Sequence, residues 1–407
     1  MSAAAGCPVV DQDLSDPGFN ADPYPVLEEW RARGPVVFNA HDERYLVLSF
    51  RGSTRVLSTL DAFDSQPGAE TVRRIFGGLT MMAIDTPRHH RMRDVWAPDF
   101  RRDTLAERRR ELVTRIVAAR VGPFAERLRA GEVLDAVGSL TRAIPTLVIA
   151  EMLGVEPEMV DRFSAWSDAI GASAAANVPD PTPGQRAALA ASAEATQQLN
   201  RYMAEAVTQR RGRPPADDLV SRMVHADFAA EMDESEIVAS NTQMVFAGNE
   251  TTAKLMATAL VALARHPDQR RALVADRSLI PQAVEEVHRW STVVQTDPRW
   301  ATGDASEVEG VTVPRGAAVT PVLGAANRDP QRWERPAEFD VARPVRGHLG
   351  FGFGIHVCLG IHLARLEVAV LLDRLLDVLP DFELAGPVDF GRSFSLRGPL
   401  AVPLAAG

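Results

Sequence analysis

Cysteine is scarce in this sequence, which has two, Cys7 and Cys358, among 407 residues. Two cysteines cannot form a disulfide framework, so we expect the core to be held by apolar packing alone. Long apolar runs are missing as well, since charge-free apolar stretches such as Ala143–Ala150 fall far short of the ~18 residues that a membrane span requires. Residues 1–16 contain neither a basic nor an apolar segment, so we expect a cytoplasmic protein with no signal peptide and no membrane contact.

Lysine is almost absent, and every basic residue other than Lys254 is arginine. The 44 basic and 54 acidic residues leave a net charge of −10, which argues against a nucleic-acid-binding protein. Hydrophobic residues make up 46% of the chain and charged residues 24%, which is the composition of a globular protein. No repeat, low-complexity tract or linker interrupts the sequence.

Short β-like runs occur in two regions, residues 36–50 and residues 300–323, each around a turn signal. The rest of the chain has mostly helical periodicity. A minority of strands attached to a helical bulk predicts a mainly α protein of the α+β class, in which helices and strands are segregated.

The longest predicted helix covers Glu234–Arg265, about 48 Å at 1.5 Å per residue. Asp233 and Glu236 form a capping-box pair at its start, and Pro267 ends it. In its middle, residues 247–252 read Ala-Gly-Asn-Glu-Thr-Thr, a run of poor helix formers. Such a run marks either a functional kink or a tolerated weakness in a buried helix, and both interpretations stay open at this point.

A second predicted helix begins near Pro281 and carries Glu286 and Arg289, three residues apart. Residues at this spacing lie on one helix face and can form an ion pair. From the residue pattern alone this is an ordinary surface pair, worth about 1 kcal/mol or less.

The most informative segment is residues 348–360, His-Leu-Gly-Phe-Gly-Phe-Gly-Ile-His-Val-Cys-Leu-Gly. Glycine at three alternate positions disfavours a strand and permits a backbone that folds tightly against something flat. Cys358 precedes a third predicted helix, where backbone N–H groups and the helix dipole stabilise a thiolate. Shielded by the apolar Phe351 and Phe353, such a thiolate suits a soft axial ligand to iron. A nucleophilic cysteine is the alternative, but no second cysteine or paired histidine signature accompanies it.

This segment resembles the haem-thiolate signature of the cytochromes P450. Residues 286–289 resemble the family's E-x-x-R motif, residues 247–252 its oxygen-activation motif, residues 89–93 its propionate-binding H-x-x-x-R segment, and residues 325–343 its meander. The motifs follow the family order, as in soluble bacterial members. The resemblance implies a single domain over residues 1–407, with residues 1–20 flexible. Its large helical lobe and smaller β-rich lobe would enclose a haem between the long central helix and the Cys-bearing loop and helix.

The resemblance also implies the residues of a haem b site. Cys358 would be the axial thiolate and therefore the metal ligand. The implied propionate partners are His89, Arg93, Arg299 and His356. The two propionates carry negative charge into a protein interior, so they need such charge-assisted hydrogen bonds. Ala247 and Phe351 would also contact the haem.

Two further groups have implied roles near this site. Glu286 and Arg289 would be a buried structural pair rather than a surface pair, and Arg343 would complete their network. Asp297 would pair with Arg299, lie beside a propionate or cap a turn, and these alternatives stay open.

Glu250 and Thr251 match the family's acid–alcohol pair, which implies that they deliver protons for oxygen activation. The implied activity is a monooxygenase that inserts one atom of dioxygen into an organic small molecule, by hydroxylation or O-dealkylation. Two alternatives are a peroxide-driven peroxygenase and a non-catalytic haem-binding protein. The acid–alcohol pair argues against the former, because the family's peroxygenases typically lack it.

Electrons would come from a separate protein, because the sequence has no flavin, nicotinamide or iron–sulfur motif. The resemblance implies an iron–sulfur ferredoxin and its NAD(P)H-dependent reductase. Candidate docking residues near Cys358 are Arg91, Arg101, Arg102, Arg343 and Arg346. The substrate would be a small, mostly apolar molecule. Its expected pocket residues are Ile75, Phe76, Leu79, Met81, Met82, Val245, Val293, Val294 and Phe394, with Arg73, Arg74 and Gln243 as candidate polar anchors.

Overall fold

A computed structural model describes residues 4–176, 181–304 and 306–407 of the chain. Its α-helices are α1 (Pro17–Ala21), α2 (Tyr24–Arg33), α3 (Phe50–Ser58), α4 (Ala69–Phe76), α5 (Arg88–Asp94), α6 (Arg102–Arg108), α7 (Arg110–Arg129), α8 (Ala143–Leu153), α9 (Val160–Ala172), α10 (Pro183–Arg211), α11 (Leu219–Val224), α12 (Glu234–Arg265), α13 (Pro267–Ala275), α14 (Ile280–Trp290), α15 (Leu323–Ala326) and α16 (Ile361–Val378). Its strands are β1 (Val9–Val10), β2 (Val36–Asn39), β3 (Arg44–Val47), β4 (Phe63–Asp64), β5 (Leu134–Asp135), β6 (Arg299–Ala301), β7 (Ser306–Val308), β8 (Val311–Val313), β9 (Ala318–Pro321), β10 (Phe382–Leu384) and β11 (Pro403–Ala406).

Helix α12 runs through the middle of the helical lobe and has the predicted bounds. Its capping box is also confirmed, because the Glu236 N–H donates to Asp233 at 2.8 Å and the Asp233 N–H donates to Glu236 at 3.1 Å. Helices α8, α9, α10 and α16 pack against α12, so most of its faces are buried in the main apolar core. The expected mainly α architecture is confirmed.

The β-rich lobe contains a six-stranded sheet in the order β1-β2-β3-β9-β6-β4. Strands β2 and β3 form an antiparallel hairpin within residues 36–50, with Val36 opposite Val47. Strand β9 joins this hairpin in parallel, with Tyr45 opposite Val319, and β6 pairs antiparallel with β9. Strands of both β-like regions of the sequence therefore meet in one sheet, whereas β7 and β8 of the second region form a separate antiparallel pair.

Of the N-terminal segment expected to be flexible, residues 4–20 are folded onto the β-rich lobe, and residues 1–3 lie outside the described residues. Strand β1 pairs in parallel with β2, and Val10 lies opposite Asn39. The ring of Phe19 stacks on that of Trp30 in α2, with centroids 5.8 Å apart. Cys7 is buried as well. Residues 4–20 therefore form the edge of the β-rich lobe, because their apolar side chains find partners that the local sequence does not reveal.

The elements that carry the predicted motifs lie around the junction of the two lobes. Helix α16 starts directly after the cysteine loop and packs against α12 and α14. The loop itself contacts α3, α14 and α15. In the described ranges of the chain, no helix is both long and apolar enough to cross a membrane.

Candidate functional site

The loop of residues 348–360, called the cysteine loop below, is folded tightly against its neighbours. The Cys358 N–H donates to the Phe351 carbonyl at 2.8 Å and closes the loop. A Cβ on Gly350 would lie 2.8 Å from the imidazole of His288, and Gly354 has a φ of +74° beside the backbone of α3. The glycines therefore permit close backbone approach, as their alternate spacing predicts.

Cys358 is a free thiol just before the N-terminus of α16. Burial raises the pKa of this thiol, whereas the Gly360 N–H and the positive charges of Arg93 and Arg365 lower it. Residues 352–362 are all at least partly accessible, although the preceding Leu349–Phe351 turn is buried. The cysteine loop and the first turn of α16 therefore present an open surface with a thiol in it.

The middle of α12 is also accessible, although the helix is buried on both sides of this point. Residues 239–245 and 252–263 are buried, whereas Phe246, Ala247, Gly248 and Thr251 are accessible. The Thr251 hydroxyl donates to the Ala247 carbonyl at 2.8 Å, which is the backward bond that bends helices. The helix continues through residues 247–252 without interruption, and the kink there stays a prediction.

Imidazole and guanidinium groups gather at one edge of this region. The rings of His89 and His356 are 4.5 Å apart. Burial, helped by the charges of His356 and Arg93, lowers the pKa of His89 to about 4. Among the described residues, His89 Nδ1 and Arg299 Nε are buried without a hydrogen-bond partner. Buried donors without partners are costly, so this edge suits an anionic group that would accept from them.

His356 is held by Asp85, a residue that the sequence analysis did not single out. His356 Nε2 lies 3.0 Å from Asp85 Oδ1, and the Ser65 N–H donates to Asp85 Oδ2 at 3.0 Å. Burial alone would raise the pKa of Asp85, but the hydrogen bonds from His356 and Ser65 lower it to about 2. Asp85 is 271 residues from His356, so its only sequence signal is its place shortly before His89.

Asp297 forms an ion pair with Arg299 at the start of β6. Arg299 Nη1 also donates to the Pro298 carbonyl at 2.9 Å. Asp297 Oδ2 lies 4.0 Å from the position of a Cβ on Gly352, which places the pair beside the cysteine loop. Of the three alternatives for Asp297, the structure therefore contains the pairing with Arg299.

These residues fit a flat anionic cofactor. Helix α16, which directly follows the cysteine loop, packs on α12, and unpartnered donors lie near the loop. The residues that the structure describes include no group of three or more His, Cys, Asp or Glu side chains that could hold a metal ion. An iron bound near Cys358 would therefore need the remaining ligands of a cofactor such as haem.

Glu286 and Arg289 form the buried pair that the resemblance implied. Both side chains are fully buried, and Arg289 Nε donates to Glu286 at 2.6 Å. Arg343 Nε donates to the other oxygen of Glu286 at 3.2 Å, so Arg343 completes the network. The remaining Arg289 donors reach the carbonyls of Asn327, Pro336 and Glu338. Full pairing is what allows such charges to be buried, and the network fixes residues 325–343 behind the cysteine loop.

Two of the arginines expected to offer free positive charge do not. Arg343 is buried in the Glu286 network, so its docking role is wrong. Arg91 forms an ion pair with Glu231, which neutralises it. The arginines that remain exposed are Arg101, Arg102 and Arg346. Burial and the charges of Arg365 and Arg102 lower the pKa of His362, which places Arg102 near the first turn of α16.

The expected pocket residues fall into two groups. Phe76 and Phe246 have ring centroids 5.8 Å apart and link α4 to the accessible part of α12. Gln243, one helical turn before Ala247, is buried and its Oε1 has no partner among the described residues. Phe394 instead packs on Phe19, with centroids 5.0 Å apart, in the core of the β-rich lobe. The expectation that Phe394 lines the pocket is therefore wrong.

Comparison with known proteins identifies the class. Residues 52–384 match the family model described as Cytochrome P450, so the chain belongs to the cytochrome P450 family, and membership implies a haem held by a cysteine thiolate. It is 32% identical over 419 residues to the "Cytochrome P450 monooxygenase PikC" of Streptomyces venezuelae, an alignment that covers 99% of this chain and 96% of that protein. It is 35% identical over 337 residues to the "Mycinamicin IV hydroxylase/epoxidase" of Micromonospora griseorubida, covering 81% and 79%.

Solved structures confirm the fold. The crystal structure of CalO2 has a TM-score of 0.86 and 26% sequence identity, and the match covers 98% of this chain and 99% of that one. The P450 fold and the monooxygenase class expected from the sequence are therefore both confirmed.

Proposed function

We propose that this P450 monooxygenase binds haem b with Cys358 as the axial thiolate and hydroxylates or O-dealkylates a small, mostly apolar molecule. When bound, the haem supplies the binding of dioxygen and the transfer of one oxygen atom to the substrate. The observation that carries the proposal is the pair of accessible surfaces on α12 and on the cysteine loop, with unpartnered donors at their edge.

The cationic edge would orient the cofactor by its propionates. Arg93 and Arg299 are permanent cations, and His89 is neutral without a nearby anion because its pKa is lowered to about 4. A propionate beside His89 would raise that pKa and accept from the unpartnered Nδ1. His356 is already tied to Asp85 at 3.0 Å, so it would add one donor while Asp85 fixes its ring. Ala247 and Phe351 would contact the two flat faces.

Thr251 and Glu250 would deliver protons on the α12 side. The Thr251 side chain is accessible where the helix faces the open region, whereas Glu250 is buried on a neighbouring face. The Thr251 hydroxyl would hold a proton at Oγ1, and the Glu250 carboxyl would replenish it. Glutamate is a usual general acid, and a threonine hydroxyl can both donate and accept a hydrogen bond, as a proton relay requires.

The pocket supports an apolar substrate with few polar anchors. Phe246, Val294 and the aromatic Phe76 are apolar, and Gln243 is a polar side chain one helical turn before Ala247. One relative is named for hydroxylation and epoxidation of mycinamicin IV, which supports oxidation of an organic small molecule here. Electrons would come from a separate iron–sulfur ferredoxin and its NAD(P)H-dependent reductase.

The test is the spectrum of the reduced protein with carbon monoxide. A thiolate opposite carbon monoxide shifts the Soret band strongly to the red, and other axial ligands do not. We expect this band in the wild type, and we expect Cys358→His to keep some haem and lose the band. Cys7→Ala is the matched control, because Cys7 is a buried cysteine in the β-rich lobe. A wild-type spectrum in Cys358→His would contradict the assignment of the ligand.

A further inference from the structure

The only lysine of the chain, Lys254, is buried beside the proposed proton donor Glu250. Its Nζ lies 2.9 Å from Glu250 Oε1 and donates to the Leu396 carbonyl at 2.8 Å. A Cβ on Gly398 would lie 2.5 Å from Lys254 Cβ, so the C-terminal turn closes over the lysine stem. A buried ammonium requires such partners, and the result is that the Glu250 carboxyl is held in one place.

The carboxyl held by Lys254 contacts helix α9. Glu250 Oε1 lies 3.2 Å from the position of a Cβ on Gly171. Gly171 follows Asp168 by three residues, so the two lie on the same face of α9. The Asp168 side chain is 39% exposed and forms an ion pair with Arg142 at 3.3 Å. Asp168 is therefore a carboxyl that solvent can reach, on the helix face against which Glu250 packs.

Asp168 is also able to carry a proton near neutral pH. Burial raises its pKa, Arg142 lowers it, Glu250 raises it and Lys254 lowers it, and together these influences bring the pKa of Asp168 to about 6. These are the charged groups that reach it from the segment before α8 and from α12. An acid that titrates near the operating pH is suited to passing protons.

We propose that Asp168 supplies protons from solvent to Glu250, and that Lys254 positions the Glu250 carboxyl to receive them. This rests on the proposed role of Glu250 and Thr251. Water protonates Asp168, Asp168 passes that proton to the Glu250 carboxylate, and Asp168 takes its next proton from solvent. Rotation of the Glu250 side chain then delivers the proton to Thr251 Oγ1 as the Thr251 hydroxyl gives up its own proton to the open region, so the hydroxyl is restored and Glu250 returns to Lys254 as a carboxylate. Asp168 and Lys254 act through Glu250 and are positioning residues.

The first experiment compares Asp168→Asn with Asp161→Asn in the haem-loaded protein, supplied with ferredoxin and reductase. Asp161 is an exposed carboxylate on the same helix, so its replacement makes the same charge change without touching Glu250. We expect Asp168→Asn to lower the fraction of electrons recovered in product several-fold and to raise the solvent deuterium isotope effect. We expect Asp161→Asn to do neither, and Asp168→Glu to restore most of the loss. Turnover driven by added hydrogen peroxide should be unchanged.

The pH dependence of the reaction distinguishes proton transfer by Asp168 from a purely structural role. In the wild type the proton-transfer rate should rise as the pH falls through about 6, the pKa of Asp168, and Asp168→Asn should lack this inflection. Because the pKa of Asp168 is raised in the folded state, its carboxyl ionises more readily in the unfolded chain, and the free energy of unfolding falls as the pH rises from about 4 to about 6. The Tm of Asp168→Asn should therefore exceed that of the wild type above about pH 6, and the difference should vanish near pH 4.

Lys254 is tested with Lys254→Met and Lys254→Arg. The methionine variant keeps the aliphatic stem but removes the ammonium group that holds Glu250. We therefore expect it to lower the fraction of electrons recovered in product, which is called coupling below. The arginine variant should retain the coupling of the wild type. If Glu250→Gln uncouples turnover but Asp168→Asn and Lys254→Met do not, this proposal is wrong and the role of Glu250 stands. If Glu250→Gln itself leaves coupling unchanged, the proposed role of Glu250 is wrong as well.

Discussion

At the scale of single residues, the Thr251 hydroxyl is the group whose removal tests proton delivery most directly. Thr251→Ala deletes one hydroxyl from an accessible position, and its only bond among the described residues is to the Ala247 carbonyl. We therefore expect haem content and substrate-induced spectral change to stay as in the wild type. NAD(P)H should still be oxidised, but its electrons should reduce dioxygen to hydrogen peroxide in place of forming product, because the protons are no longer delivered correctly. The measurement is the ratio of product to peroxide per NAD(P)H oxidised.

The neighbouring threonine provides the control for this experiment. Thr252 is 5% exposed and faces the core, so Thr252→Ala should lower stability and leave the product-to-peroxide ratio unchanged. Thr251→Ser keeps the hydroxyl and should restore coupling. Normal coupling in Thr251→Ala would mean that another group, or the substrate itself, delivers the protons.

Residues of the site differ in how far the sequence could predict them. Cys358, His89 and Arg289 stand within local motifs, so the resemblance to the family could assign them, although the residue pattern alone gave Arg289 only a surface ion pair. Asp85 could not be found in this way, since its partner His356 is 271 residues away. The bond between Glu250 and Lys254 had a readable signal, because an acid and a base four residues apart on a helix are neighbours.

At the scale of elements, the segment between α14 and β6 contains two adjacent valines, Val293 and Val294, that differ in exposure. Val293 is 1% exposed and its carbonyl accepts from the Arg397 N–H at 2.8 Å. Val294 is partly accessible and lies opposite Leu396 in a β-bridge. Successive side chains of an extended segment point to opposite faces, so we expect Val294 to face the pocket and Val293 to face the core.

The two valines can be separated by the same substitution. Val294→Phe should narrow the pocket, so that small ligands lose affinity or the site of oxidation on the substrate shifts. Val293→Phe should instead overpack the core and destabilise the protein by about 1–3 kcal/mol. Spectral ligand titration, product analysis and thermal unfolding measure the three effects. Unchanged binding and products in both variants would show that this segment does not line the pocket.

Elements also differ in how well local sequence specifies them. The start of α12 was predictable because Asp233 and Glu236 satisfy free N–H groups at the helix terminus. Strand β1 was not, because Val9–Val10 is too short to show alternation and is extended only through pairing with β2. The packing of Phe394 on Phe19 likewise joins the two ends of the chain. Contacts of this kind depend on the tertiary fold and leave no periodic trace.

At the scale of the whole molecule, charge is distributed unevenly. The chain carries a net charge of −10, which by itself would repel an acidic electron donor. Helix α6 packs against α16, and the exposed Arg101 and Arg102 stand at its start. Arg346 is exposed in the segment that leads into the cysteine loop. These arginines place positive charge on the side of the molecule where Cys358 lies, although the net charge of the chain is negative.

A local positive patch on an acidic protein would attract an acidic ferredoxin over a short range only, because exposed charges are screened within about 8–10 Å at physiological ionic strength. The rate of reduction by such a ferredoxin should therefore fall as salt rises. Arg102→Glu should slow reduction several-fold at low salt and leave substrate affinity unchanged, as measured by stopped-flow reduction and spectral titration. Arg201→Glu makes the same charge change at an exposed position on α10, which packs on α9 and α12, and it should leave the rate of reduction unchanged.

If reduction is independent of salt, or if both variants slow it equally, the electron donor docks elsewhere or by apolar contact, and the arginines near Cys358 are ordinary solvated surface.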